Sequence, residues 1–95
     1  MFISIVLDPG GVDSSKAIVS ILTQYGFQKM QRACWEHSSL SEGNLVKLKK
    51  DIDRVTDYYD RLRMYQYPID GFMAITELSK KKWKRCMLRP PKKTP

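Results

Sequence analysis

The chain has 95 residues, 42% hydrophobic and 28% charged, a balance that fits one small globular domain. It has no run of 18 apolar residues, which excludes a helical membrane span. It also lacks a basic leader followed by a small-residue cleavage site, so a cytoplasmic location is expected. The net charge of +7 is uneven: from Lys80 onward there are eight cations and no acid, which leaves −1 for everything before.

Residues 1–7, MFISIVL, form a strand by composition, apolar almost throughout, as in a central strand or one covered on both faces. Asp8 follows, then the breaker Pro9-Gly10-Gly11. A carboxylate there has two readings. In one it accepts from the amides of Gly10 and Gly11 in an Asx-type turn. In the other it is a metal ligand on a rigid element. Asp13 or Ser14 is placed to cap a helix running to about Tyr25, with Ile18, Ile21, Leu22 and Tyr25 on one stripe. Gly26 sits where a left-handed residue ends a helix.

Residues 27–36 read as a second strand, with Ala33 and Trp35 on one face and Arg32, Cys34 and Glu36 on the other. In the loop SSLSEGN, Ser39 and Glu42 have capping-box spacing and Ser41 is a rival cap. A helix follows with Leu45, Leu48, Ile52 and Val55 on its apolar stripe. The charged positions outside the stripe, among them Asp51 and Asp53, read as a solvated face. Residues 60–67 alternate, with Arg61, Arg63, Tyr65 and Tyr67 on the wetter side and Leu62 and Met64 opposite. PIDG is a turn, and residues 72–76 form the next strand. Residues 82–88 alternate again, as a basic edge strand suited to pairing with another chain. Pro90-Pro91 ends it, and the residues beyond are expected to be disordered. The basic end, residues 79–95, is thus a strand and tail appended to a domain of residues 1–78.

Joined in this order the elements give βαβ followed by αββ, and splitting residues 27–36 at a bend is one way to change that connectivity. Chemistry-bearing motifs are sparse. Two separated cysteines and a single histidine do not make a zinc site, and the thiols are expected free. The glycine pair lacks the spacing of a phosphate loop. His37 is a candidate general base, but a lone histidine in a serine-rich loop reads as surface, and on a strand it faces away from Cys34. Trp35, Tyr58, Tyr59, Tyr65 and Tyr67 are of a type that stacks bases, although core packing or a dimer interface is the commoner use of such residues.

Several stretches together resemble the CRISPR-associated Cas-two family of small spacer-acquisition proteins. They are the apolar strand ending in Asp8, QYGF at the helix end, QRACWEHSSL, LVKLKKDIDRV and DRLRMY. The resemblance covers about residues 1–78 and implies a ferredoxin-like βαββαβ sandwich. That fold has an antiparallel sheet with two helices on one face, here with an extra C-terminal edge strand, and forms a homodimer. It further implies a scaffold that binds double-stranded DNA and bridges subunits of the Cas-one integrase. Asp8 matches the aspartate that ends the family's first strand. Two such carboxylates near a dimer axis suit Mg²⁺, so Asp8 is the candidate metal ligand and catalytic residue of a metal-dependent endonuclease. The related virulence-associated ribonuclease toxins make RNA a rival substrate. The candidate nucleic-acid contacts are Lys16, Arg32, Arg61, Arg63, Lys80, Lys81, Lys82, Lys84, Arg85 and Arg89. Two other readings of the basic end are a dock for an acidic protein and a solubilising tail.

Overall fold

The computed structural model describes residues 1–69 and 71–88; Arg89, the Pro90-Pro91 stop and the tail after it lie outside the described residues. The protein is α+β. Its strands are β1 (Phe2–Asp8), β2 (Gln28–Gln31), β3 (Cys34–His37), β4 (Arg61–Ile69), β5 (Phe72–Ser79) and β6 (Lys82–Leu88), and its helices are α1 (Val12–Gln24) and α2 (Glu42–Val55). The strands form one open sheet in the order β2-β3-β1-β4-β5-β6, antiparallel at every pairing.

One core cluster joins alternate residues of the sheet, Ile3, Ile5, Leu7, Trp35, Leu62, Met64 and Leu78, to Ile18 and Leu22 of α1 and Leu45, Leu48 and Ile52 of α2. Both helices therefore pack on the same face. Burying their apolar stripes stabilises the domain by about 25 cal/mol for each Å² removed from water. The helices are also linked directly, since the Tyr25 hydroxyl donates to Asp51 at 2.7 Å. That bond raises the Tyr25 phenol above its ordinary pKa, with burial adding to the effect.

The structure corrects several expectations. The expected strand of residues 27–36 is two strands, β2 and β3, folded back through a turn at Arg32 and Ala33. No Gly, Pro or Asn marks that turn, and period-two alternation reads the same on a continuous strand and on a hairpin. The resulting order of elements is βαββαβ followed by two more strands. The N-cap of α1 is Gly11, with no side-chain cap, two or three residues before the expected Asp13 or Ser14, and Ser41 rather than Ser39 caps α2, its hydroxyl accepting from the Asn44 amide at 3.2 Å. β1 is covered on one face only: Ile3, Ile5 and Leu7 are buried while Phe2, Val6 and Asp8 are exposed. β4 continues through Pro68 to Ile69, so the turn into β5 is narrower than PIDG; Gly71 there adopts φ +80°. Gly26 has φ +85°, the left-handed helix stop that its position implied.

β6 pairs with β5 along its length, from Ser79↔Lys82 to Met73↔Leu88, and so belongs to the same sheet as the rest. The two strands are joined by Lys80 and Lys81, both at positive φ (53° and 61°). A two-residue hairpin needs such angles to match strand twist, although lysine adopts them at a cost. Lys81 has a compensating partner: its Nζ donates to the carbonyls of Asp53 and Thr56 at the end of α2. A cation there caps carbonyls at the helix C-terminus, where the Asp53 carbonyl also accepts from the Thr56 hydroxyl at 3.3 Å, and complements the helix dipole. Next to it the Trp83 indole donates to Asp53 at 3.0 Å and holds that carboxyl below its ordinary pKa, with Lys81 adding to the effect against the opposing influence of burial. Replacing Lys81 with Met is expected to lower stability by about 1 kcal/mol. Urea denaturation checks this, and an unchanged midpoint would mean the cap contributes nothing.

Candidate nucleic-acid interface

The helices leave the other face of the sheet open, and strand register fixes what that face presents. Near one end it carries Phe2, Tyr67, Met73 and Leu88, and then Ser4, Tyr65, Ile75 and Cys86 in the next row. Toward the other end the rows become Val6, Arg63, Glu77 and Lys84, and then Asp8, Arg61, Ser79 and Lys82. The face is therefore apolar at one end and charged at the other. Phe2, Val6, Tyr67, Met73 and Leu88 are all exposed large hydrophobics. Arg63 lies over the Tyr65 ring, 5.6 Å from its centre, and links the two halves.

Asp8 occupies the charged end. Its register partner is Arg61, and Arg63 is nearby on the same strand. Arg61 also approaches Glu77 at 3.6 Å. Of the two readings of Asp8, the turn reading loses its Gly10 contact, because the Gly10 amide donates to Asp60 at 2.8 Å. Asp60 is 1% exposed, and its second oxygen accepts from the Asp57 amide at 2.8 Å. Burial alone would push the Asp60 carboxyl up; the bonds from Gly10 and Asp57, helped by the Ser14 and Asp57 side chains, outweigh it and hold the pKa below the ordinary value. One buried carboxylate thus ties the loop after β1 to the loop before β4, and Asp8 and Arg61 flank that tie.

The same junction explains the glycines. A Cβ at Gly10 would lie 2.6 Å from the Tyr59 Cβ, a distance that forces movement, whereas a Cβ at Gly11 meets nothing within 4 Å. Gly10 is thus required by close approach of two loops. Asp60 was the first residue of an expected strand, and its role was not legible because its partners are 50 and 3 residues away.

The expected phosphate contacts divide by location. Arg61, Arg63, Lys82 and Lys84 come together on the charged half of the open face, with Lys80 at the adjoining hairpin. A cleft of about 370 Å³ there is lined by Glu77, Ser79, Lys80, Lys82 and Lys84. Lys81 is engaged with α2. Arg85 alternates to the helix side, near enough to Lys49 to help burial lower that lysine's pKa. Lys16 is exposed on α1 and Arg32 in the β2–β3 turn, both away from the group. His37 accepts the Ser39 amide at Nδ1 (3.0 Å) and meets the Phe27 ring edge-on, while Cys34 faces Ser4 and Glu36, so the two do not pair.

For Mg²⁺, one chain places Asp8 and Glu77 along the same cleft, and Glu77 is engaged by Arg61. Among the described residues no three His, Cys, Asp or Glu side chains converge as a metal site. Mg²⁺ is content with one or two carboxylates plus water and phosphate, so a second Asp8 would have to come from another copy, and it would bring a second Arg61 and Arg63 with it. Among the described residues no helix is long and apolar enough to cross a membrane. Comparison with protein-family models, curated proteins and solved structures finds no match to this chain.

Because the folded-state pKa of Asp60 lies below the ordinary 3.8, its stabilisation is complete above that value and declines as pH falls through it. Asp60→Asn is expected to cost about 2 kcal/mol at pH 7. The gap to the unmodified protein should narrow in urea titrations at pH values below about 4. A gap independent of pH would show that the carboxylate charge is not what holds the loops.

Proposed function

We propose that this chain is a CRISPR spacer-acquisition scaffold of the Cas-two kind: a ferredoxin-like homodimer that binds duplex DNA through phosphate contacts and bridges subunits of a Cas-one integrase in the cytoplasm. The observation that supports it best is the division of the open sheet face into an apolar half and a cationic half. Phe2, Tyr65, Tyr67, Met73 and Leu88 offer an apolar, aromatic-containing patch of the kind that a second copy covers. Arg61, Arg63, Lys82 and Lys84 offer cations to phosphate, whose contacts position a duplex without reading its sequence. The strand order β2-β3-β1-β4 with antiparallel neighbours supports the ferredoxin-like reading. The integrase partnership rests on the family resemblance alone.

Magnesium enters a second reading, a metal-dependent endonuclease acting on DNA or RNA with Asp8 from each of two copies holding the ion. Bound there, the ion would act as a Lewis acid toward a phosphoryl oxygen. The exposure of Asp8 at a strand tip favours this reading. Two features weigh against it. The apolar end that suits dimer contact lies several rows from Asp8, and bringing two Asp8 carboxylates together would gather four arginines around them, which compete with a metal for the same oxygens. The scaffold is therefore the primary reading.

Under the scaffold reading, affinity for a duplex falls linearly with salt on a log–log plot. Replacing Lys82 and Lys84 with alanine should reduce the slope by about 2 for each subunit that contacts the duplex, near 0.9 for each lost phosphate contact, and so by up to about 4 for a dimer that engages both. An unchanged slope removes β6 from the interface. Asp8→Asn is expected to leave sedimentation as a dimer unaltered and to tighten duplex binding modestly, since it removes a negative charge beside Arg61. If Asp8→Asn abolished a Mg²⁺-dependent cleavage that the unmodified protein performs, the nuclease reading would replace the scaffold.

A further inference from the structure

The loop between α2 and β4 carries two adjacent tyrosines that point outward. Tyr58 is 56% exposed and Tyr59 75%, and their rings meet edge to face with centres 5.6 Å apart. Tyrosine is enriched at binding surfaces, where its ring is buried and its hydroxyl stays wet. The loop beneath them is held in place. Tyr59 donates its amide to Asp57 at 2.9 Å, Asp57 donates to Asp60, and Asp60 accepts from Gly10. Gly10 packs directly under the Tyr59 Cβ. The rings are thus exposed on a loop whose backbone is fixed from below, which lowers the ordering cost of binding.

Tyr58 and Tyr59 line a cleft of about 500 Å³ together with Arg61, Ser79 and Lys80. Ser79 and Lys80 also line the neighbouring cationic cleft that holds Lys82 and Lys84, so the two clefts share a wall. The acids nearby are Glu77, which approaches Arg61; Asp57 and Asp60, both occupied by backbone amides; and Asp8 across β4. The lining is therefore aromatic at one end and cationic along the other. That pairing is what unpaired nucleotides require, with π-faces for bases and positive charge for the backbone.

We propose that Tyr58 and Tyr59, with Arg61 and Lys80, form a stacking site for the unpaired bases of a nucleic-acid strand that leaves the duplex at the charged end of the sheet. This rests on the reading of the chain as a duplex-binding protein and adds to it the strand type and the residues that receive it. The tyrosines stack bases without sequence preference, and the two cations hold the adjoining phosphates.

The test compares a blunt DNA duplex with the same duplex carrying a single-stranded oligothymidine extension at each end, with affinity read by fluorescence anisotropy. For the unmodified protein the extension should tighten binding by about tenfold for each stacked base. In a Tyr58→Ala, Tyr59→Ala double variant that gain should vanish while blunt-duplex affinity stays within about twofold, since the phosphate contacts remain. Tyr58→Phe, Tyr59→Phe should keep the gain. Alanine retains the Cβ that rests on Gly10, and thermal melting followed by circular dichroism verifies the fold of both variants. No gain in the unmodified protein, or a gain that survives the alanine substitutions, overturns the stacking site while leaving the duplex scaffold in place. Tyrosine-dependent binding of free oligothymidine without any duplex binding would keep the stacking site and remove the scaffold.

Discussion

Two helices cannot cover six strands on both faces. α1 and α2 pack together on one side of the sheet, and every strand residue that alternates away from them is left to water or to another molecule. The open face is therefore a consequence of topology among the described residues, and its composition determines what that face can bind. Register then sorts that composition: residues that alternate along each strand line up across four strands into apolar rows at one end and charged rows at the other.

Asp60 holds the charged end together. Two loops that carry exposed functional candidates meet there, one leaving β1 at Asp8 and the other bearing Tyr58 and Tyr59. A single carboxylate satisfies an amide from each loop. A buried charge is tolerable only when its hydrogen bonds are made, and among the described residues no buried side-chain polar atom is left unpartnered. Gly10 completes the junction by its lack of a side chain. The stretch Asp8-Pro9-Gly10-Gly11 thus serves the junction through Gly10, while Asp8 is exposed at the strand tip.

At the other junction, β6 is anchored by Lys81 and Trp83 to the end of α2. This divides the basic segment by function. Lys81 supports the hairpin, Lys82 and Lys84 face out from the open side, and Arg85 turns toward the helices. A charge run that looks uniform in sequence is thus three different environments, because alternation along a strand and a tight hairpin send successive lysines in different directions.

Strong local patterns made much of the fold legible. The stripe Leu45, Leu48 and Ile52 marks its helix, the alternation of Arg61 to Tyr67 marks its strand and its wetter face, and Gly26 marks its helix stop, because these signals arise within a few residues of chain. The uneven charge and the candidate cations were likewise present in composition. The tertiary structure alone decided the hairpin at Arg32 and Ala33, whose turn has no marker residue and exists because β3 pairs with β1. It alone decided that Asp60, and not Asp8, receives the Gly10 amide. It also decided which lysines share a face with Arg61 and Arg63 and that Tyr58 and Tyr59 open beside them. Local sequence encodes backbone conformation and which side of an element is apolar. Long-range pairing brings distant residues together, and only that juxtaposition gives a carboxylate, a tyrosine or a lysine its particular partner.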